Sequence, residues 1–237
     1  MTEVPPRTGA AFDPFHADYD EALARGLAVS GEDRLYFARA RIAFLGRCLR
    51  GMSVPAPTSV IDFGCGNGAA TPLFFEELGV ERVLGVDASE RCLAVARERY
   101  GSPSARFVSL RDFSPAGSEP LVFCNGVFHH VPSPERPGLV DLVRASLRPD
   151  GLFSLWENNP WNPGARYVMW RIPFDRDAVM LSARAARAMV RREGLEVVRT
   201  DYAFIFPHLL KALRIFEPVL AKAPLGAQYQ VLSRRPT

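Results

Sequence analysis

Three glycines at alternate positions follow an aspartate near the end of a short apolar segment. The segment is Val60-Ile61-Asp62-Phe63-Gly64-Cys65-Gly66-Asn67-Gly68, and a helix-like pattern over residues 69–78 follows it directly. A strand that passes through a glycine turn into a helix N-terminus lets a nucleotide-like ligand lie against backbone amides. We therefore expect a nucleotide-like ligand at this turn.

Polar residues also follow two other strand-like segments. Asp87 follows the segment at residues 82–86. Asn125 ends the apolar segment at residues 121–125, and the pair His129-His130 comes after it. A carboxylate can accept two hydrogen bonds at once, and histidine titrates near neutral pH and can take a proton from a hydroxyl. We expect adjacent histidines to point in different directions and see no third ligand in register, so no metal site is predicted.

The segments that carry these residues alternate between strand-like and helix-like patterns. A leading helix, with Ser30 as its N-cap, is predicted to end at Gly51, before Pro55 and Pro57. Short apolar strands that alternate with amphipathic helices indicate a parallel sheet covered on both faces. The predicted strands are residues 59–63, 82–86, 105–109, 121–125, 152–157, 195–202 and 227–232, and the predicted helices are 69–78, 89–100, 135–147 and 182–193.

Other segments are less regular. Residues 1–13 are predicted to be a loose tail, with a helical pattern from Pro14. Residues 148–151 are predicted to form a turn and residues 158–174 an irregular insertion, whereas a helix is predicted from Pro207. The predicted organisation is an N-terminal tail and helical cap at residues 1–54 and one domain at residues 55–237.

The composition argues against several classes of protein. The chain has 237 residues and a net charge of +3, and its arginines are spread along the sequence, so we expect no nucleic-acid surface. No apolar run approaches the roughly 20 residues that span a bilayer. The four cysteines include no CxxC pair, which predicts free thiols. These features together predict a soluble, cytoplasmic protein.

The motif Asp62 to Gly68 has the form DxGxGxG and resembles the first motif of class I S-adenosylmethionine-dependent methyltransferases. The resemblance covers residues 55–233, with strong motifs at 60–68, 85–89 and 121–132. It implies an α/β, Rossmann-like, doubly wound sheet of seven strands with the last antiparallel. It also implies that Asp87 accepts hydrogen bonds from the ribose and that Asp112 and Phe113 contact the adenine. The implied cofactor-binding residues are Asp62, Gly64, Cys65, Gly66, Asn67, Gly68, Asp87, Ala88, Asp112, Phe113 and Asn125.

The same resemblance implies methyl transfer to a small molecule, and we expect an oxygen atom of a hydroxyl or carboxylate as the acceptor. His129 and His130 are the candidate bases, and insertions at residues 158–181 and 203–224 are expected to contribute to a lid over the substrate. A weaker resemblance points to a bacterial branch associated with secondary metabolites or glycans. The expected substrate contacts are Tyr36, Phe37, Arg41, Glu157, Asn159, Trp161 and His208.

Two alternatives stay open. The first is an NAD(P)-binding oxidoreductase, since such an enzyme could use Asp87 in a similar way; no Tyr-Lys pair supports it. The second is a protein that binds S-adenosylmethionine and regulates a partner without catalysis. A monomer and a homodimer are equally compatible with the sequence.

Overall fold

The structure, a computed structural model, describes residues 26–27, 30–172, 175 and 178–237. The tail predicted at residues 1–13 and the helical pattern predicted over residues 14–25 lie outside the described residues. A seven-stranded sheet forms the centre of the described chain, with strand order β3-β2-β1-β4-β5-β7-β6. Its strands are β1 (Ser59–Phe63), β2 (Arg82–Asp87), β3 (Ala105–Ser109), β4 (Glu119–Asn125), β5 (Leu147–Asn158), β6 (Glu196–Ala203) and β7 (Gln228–Arg234).

Helices connect the strands. They are α1 (Arg34–Gly51), α2 (Thr71–Leu78), α3 (Glu90–Tyr100), α4 (Arg136–Ser146), α5 (Pro163–Arg171), α6 (Ala183–Arg192) and the short α7 (Glu217–Leu220), with a 3-10 helix at His208–Phe216. Strand β7 pairs antiparallel with both β5 and β6, whereas the pairs among β1 to β5 are parallel. This arrangement confirms the predicted fold class.

Alternate residues of β1 face opposite sides of the sheet, as the pleat of a strand requires. Ile61 and Phe63 pack in a core cluster with residues of α4 and α6, whereas Val60 packs with residues of α1 and α2 on the other face. Every residue of β1 is buried. The near-continuous apolar character of the predicted strands therefore reflects helices on both faces.

Several local predictions were wrong. Asp33, and not Ser30, caps α1, because its side chain accepts a hydrogen bond from the Tyr36 amide. The turn predicted at residues 148–151 lies within β5, where the pairing with β4 shifts register and Asp150 adopts a φ of 59°. The insertion after β5 contains the helix α5, which Asn162 caps, and the helix predicted from Pro207 is a 3-10 helix.

Two further findings concern the general class of the chain. All four cysteines are free, as predicted. Among the described residues, no helix combines the length and the apolar character that crossing a membrane requires.

Candidate functional site

One cavity of about 750 Å³ opens where the loops after β1, β4 and β5 meet. Gly64 and Gly66 of the glycine turn line it, and so do His129 and His130. The start of α1 and the segment around Phe206 contribute the rest of the wall. Because β1 and β4 are neighbours in the sheet, their carboxyl ends bring the glycine turn and the histidine pair to one space.

The glycine turn holds a backbone shape that side chains would oppose. Gly64 has a φ of 80° and Gly66 a φ of 55°. A Cβ atom at Gly64 would collide with the Val127 side chain, whereas one at Gly66 would meet no atom within 4 Å. The open space beside Gly66 allows a ligand to approach the backbone closely, as a nucleotide-like ligand requires.

Asp87 fixes this turn. Its two carboxylate oxygens accept hydrogen bonds from the Gly66 amide at 2.8 Å and from the Ser89 amide at 2.9 Å. Burial raises the pKa of Asp87, and the backbone donors act in the opposite direction. Each oxygen keeps a further lone pair, so the carboxylate can hold the turn and still accept hydrogen bonds from a ligand.

Asp62 lies under the turn and lines the cavity. Burial, and then the nearby carboxylate of Asp87, raise the pKa of Asp62 to about 7, although Arg41 and Arg34 favour its charged form. Asn125 lines the same cavity, and its buried Oδ1 has no hydrogen-bond partner among the described residues. A buried acceptor without a partner is costly, so this atom is suited to a donor group of a bound ligand.

Three other residues predicted to bind the cofactor belong to the glycine turn: Cys65, Asn67 and Gly68. Cys65 lines the cavity, and Asn67 accepts a hydrogen bond from Arg34 through its side-chain oxygen. Gly68 is buried against Ala96, Phe107 and Tyr100, so a side chain there would separate the turn from α3. Ala88, Asp112 and Phe113 do not line this cavity; Asp112 is exposed, and Ala88 and Phe113 pack against the core.

The two histidines lie in a cluster of charged groups. His129 Nδ1 is 2.6 Å from Glu157 Oε2, and the Nε2 atoms of His129 and His130 are 3.6 and 3.1 Å from Asp175 Oδ1. The ring centroids of the two histidines are 4.1 Å apart. The expectations that the histidines point apart and that no third ligand-type group is near them were therefore wrong, because both rings face Asp175.

Burial and charge act on the two rings differently. Burial by itself would lower the pKa of His129, but the carboxylates of Glu157 and Asp175 outweigh it and raise this pKa to about 10. Burial lowers the pKa of His130, and Asp175 only partly offsets it. Hydrogen bonds to both histidines lower the pKa of Asp175, against the effect of burial. At neutral pH, His129 is therefore the charged ring and His130 the neutral one.

Three of the expected substrate contacts line the cavity: Tyr36, Phe37 and Arg41. Arg41 is buried and donates a hydrogen bond to Gln228 Oε1 at 2.9 Å. Tyr36 bonds with Arg214, which also contacts Glu32, so α1 and the 3-10 helix are joined across the cavity rim.

The other expected substrate contacts do not line the cavity. Glu157 is buried behind His129 and also accepts a hydrogen bond from the Phe128 amide. Asn159 is fully buried and donates to the carbonyls of Pro224 and Gly226, which ties the loop after β5 to the loop before β7. Trp161 is 75% exposed, and His208 pairs with Glu32.

Asp175 and Arg214 were missed from the sequence. Asp175 lies in a segment without periodicity, and Arg214 is one of many arginines in the chain. Nothing in the spacing of either residue indicates that it faces the cavity. Only the fold brings Asp175 to the histidine pair and Arg214 to Tyr36.

Comparison with known proteins gives one family match. Residues 60–151 match the family model described as "Methyltransferase domain". The trans-aconitate 2-methyltransferase of Acidovorax sp. (strain JS42) is 34% identical over 106 residues, which are 44% of this chain and 40% of that protein. The protein of the same name from Methylobacterium nodulans is 28% identical over 156 residues, 64% of this chain and 58% of that protein. The matches thus span about half the length of these relatives.

Solved structures agree on the fold. A methyltransferase from Thermotoga maritima, described as a possible histamine N-methyltransferase, aligns with a TM-score of 0.65 at 16% identity, over 97% of this chain and 100% of that one. The plantazolicin methyltransferase in complex with a substrate analogue and S-adenosylhomocysteine aligns with the same TM-score at 13% identity, over 97% and 96%. At such identities the likeness concerns the fold alone.

Proposed function

Because the chain belongs to the class I S-adenosylmethionine-dependent methyltransferases, we propose that it transfers a methyl group to an oxygen atom of a small-molecule acceptor. One observation carries this proposal. The glycine turn and the histidine pair line the same cavity, so a donor held at the turn and an acceptor held at the histidines share one space. Methyl transfer needs mainly such alignment, together with exclusion of water.

The residues present fit S-adenosylmethionine. The open space at Gly66, the carboxylate of Asp87 and the unpartnered Oδ1 of Asn125 supply a close backbone approach and hydrogen-bond acceptors. We assign the binding of the cofactor to the glycine turn, Asp87 and Asn125. When bound, S-adenosylmethionine supplies an electrophilic methyl group on a sulfonium centre.

The histidine pair is the part of the cavity suited to handle the acceptor's proton. His129 is held between Glu157 and Asp175, and His130 lies beside it with its side chain 14% exposed. In this proposal His130 receives the proton of an acceptor hydroxyl, and Asp175 and His129 hold its ring in place. A carboxylate acceptor has no proton to lose at neutral pH and would need only the alignment.

The cavity wall carries groups that can bind an acceptor with negative charge. Arg34, Arg41 and Arg214 line it, and Gln228 and Asn158 add polar groups. Carboxylates line it as well, from Glu32, Asp33, Asp62 and Asp175. Arginine binds carboxylates through charge-assisted hydrogen bonds. The relatives named trans-aconitate 2-methyltransferases support the inclusion of carboxylic acids among the candidate acceptors.

We further propose that the start of α1 and the segment at 203–224 form a lid over the acceptor. The bridge from Arg214 to Glu32 and Tyr36 supports this proposal, because it links the two segments at the rim. The insertion at 158–181 supplies Asp175 and α5 to the same wall. Asn159 and Trp161 were expected to contact substrate. In this proposal they do not touch the acceptor and serve only to position α5.

The test is a product assay. Purified protein is incubated with S-adenosylmethionine and one acceptor at a time from a panel of hydroxy acids, phenols, sugars, polycarboxylic acids and amines. S-adenosylhomocysteine and methylated product are measured together. We expect product with at least one oxygen acceptor and none with the Asp87→Ala variant. S-adenosylhomocysteine formation with only amine acceptors would contradict oxygen as the acceptor atom.

The alternatives have their own measurement. Thermal unfolding is compared in the presence of S-adenosylmethionine, S-adenosylhomocysteine, NAD and NADP. We expect the first two to raise the unfolding temperature. A rise with the dinucleotides only would favour the oxidoreductase, and a rise with S-adenosylmethionine but no turnover across the panel would favour a regulatory protein.

A further inference from the structure

Three potential metal ligands converge at one point of the cavity wall. His129, His130 and Asp175 each offer one ligand atom, and these atoms lie within 4.8 Å of one another. The Nε2 atoms of the two histidines are 3.6 and 3.1 Å from the same Asp175 oxygen. From this geometry we infer that the cluster is a binding site for one divalent transition-metal cation of the zinc class.

The distances suit such a cation. Zinc binds imidazole nitrogen at about 2.0–2.1 Å and carboxylate oxygen at about 2.0–2.2 Å, so two ligands of a tetrahedral site lie about 3.3 Å apart. The separations of 3.6 and 3.1 Å fall on either side of this value. The two histidine nitrogens lie within 4.8 Å of each other. Rotation of the side chains to the spacing of a tetrahedral site would place all three atoms around one ion.

The carboxylate behind His129 is placed as it is behind many metal-binding histidines. Glu157 Oε2 lies 2.6 Å from His129 Nδ1. A metal ion at Nε2 would displace the proton that this nitrogen carries in the charged ring. Nδ1 would then donate its proton to Glu157, and a carboxylate behind a metal-bound histidine orients the ring and strengthens it as a ligand. The Phe128 amide donates to the other oxygen of Glu157 and keeps the carboxylate in place.

The ligand types decide the class of cation. Two imidazoles and one carboxylate suit zinc, iron, cobalt or nickel, whereas magnesium and calcium prefer oxygen ligands. Glu157 and Asp175 supply two negative charges in a buried place, which a divalent cation would balance. A shared proton would explain the close approach of only two of the three ligand atoms. A metal cation can bind all three at once.

Three protein ligands leave an open coordination position. His129, His130 and Asp175 all line the cavity that also contains the glycine turn. A cation here could therefore hold the acceptor oxygen by coordination, in place of a hydrogen bond to a histidine. This role rests on the proposed methyl transfer, but the binding of the cation does not.

The test uses Zn²⁺ and Co²⁺ as probes on the 237-residue chain after a chelator has removed bound metal. Calorimetry with ZnCl₂ and visible absorption with CoCl₂ are expected to give one equivalent bound. His130→Ala and Asp175→Asn are expected to weaken binding by more than about 100-fold, and Glu157→Gln by about 10- to 100-fold with the stoichiometry unchanged. His208→Ala is the matched control, since His208 is a half-exposed histidine paired with a single carboxylate, and it is expected to bind as the unchanged protein does.

A variant could lose metal binding simply because it does not fold. A measurement on the wild-type protein avoids this problem. X-ray absorption of the zinc-loaded wild-type protein is expected to show two imidazole ligands and no sulfur. The inference would be overturned by the absence of a bound equivalent, by a sulfur ligand, or by binding that persists in both His130→Ala and Asp175→Asn. Methyl transfer by metal-free protein without any metal binding would overturn only this inference, whereas stoichiometric binding without methyl transfer would count only against the proposed function.

Discussion

His129 and Glu157 form a buried pair, with Nδ1 and Oε2 2.6 Å apart and side chains that are 3% and 0% exposed. Glu157 belongs to β5, and His129 follows β4, its parallel neighbour in the sheet. The pairing of two strands therefore sets the orientation of the histidine that faces the cavity. Glu157 acts on the site through His129, although the sequence suggested that it contacts substrate.

The first prediction concerns this pair. Glu157→Gln keeps an acceptor for the Phe128 amide but removes the charge behind His129. Because the His129 ring then loses its fixed orientation, we expect turnover to fall about 10- to 100-fold while S-adenosylhomocysteine binds as before. Steady-state kinetics and calorimetry measure the two quantities.

The control for this change is Glu119→Gln. Glu119 accepts a hydrogen bond from Ser59 at the opposite end of the same sheet, so it repeats the chemistry of the substitution away from the cavity. Equal losses of turnover in the two variants would show that Glu157 has only a general structural role.

The second prediction concerns cofactor binding. Asp87→Ala removes the acceptor of the Gly66 and Ser89 amides, together with the carboxylate assigned to the ligand. We expect the dissociation constant of S-adenosylhomocysteine to rise about 30-fold, as the loss of about 2 kcal/mol of charge-assisted hydrogen bonding implies. Calorimetry measures this dissociation constant.

The control is Glu90→Ala, since Glu90 is exposed and lies three residues after Asp87. This variant should leave the dissociation constant unchanged. A similar rise in Glu90→Ala would count against a specific role of Asp87.

The third prediction concerns the shape of the glycine turn. Gly64→Ala meets two penalties, since its φ of 80° disfavours a side chain and its Cβ collides with Val127. We expect the backbone strain to lower the free energy of unfolding by about 1–2 kcal/mol and the collision by about 1–3 kcal/mol more. Urea denaturation measures the sum of the two losses in the free energy of unfolding.

Two comparison variants separate these penalties. Gly79→Ala has a φ of 68° but no atom within 4 Å of the new Cβ, so it should show the strain alone. In a Val127→Ala background, Gly64→Ala should cost less than in the wild type. An unchanged cost in that background would show that the collision is not the cause.

The fourth prediction concerns pH. The pKa of Asp62 is about 7 in the folded protein, raised from 3.8 by burial and by the carboxylate of Asp87. A folded-state pKa above the unfolded value means that the folded protein binds more protons between these two pH values. The free energy of unfolding should therefore decrease as pH rises from about 4 to 7, by at most about 4 kcal/mol from this group.

Asp62→Asn isolates this contribution, because its amide does not titrate here. We expect the difference in stability between Asp62→Asn and the wild type to shift in favour of the variant as pH rises from 5 to 8. Chemical denaturation at several pH values measures it. A difference that stays constant over this range would contradict the raised pKa.

Local patterns were sufficient for the regular part of the fold. The bounds of β1 and β3 were predicted to the residue, and Ser89 and Ser182 cap their helices as their types suggest. These elements depend on residues next to each other in the chain. The segment after Asn158 was harder to predict, because helix α5 begins at a proline and Pro160 and Trp161 come just before it, which obscures its periodicity.

Local patterns in the sequence were enough to predict the sheet with helices on both faces, the glycine turn, and Asp87 and the histidine pair at strand ends. Each of these features depends on a few adjacent residues, through the periodicity of apolar residues, the spacing of glycines or a helix-capping side chain. Three other contacts became visible only in the folded chain: Asp175 faces both histidines, Glu157 lies behind His129, and Arg214 reaches Tyr36. These contacts join residues up to 178 positions apart, and long-range contacts depend on how strands pair and loops close, which no local pattern records.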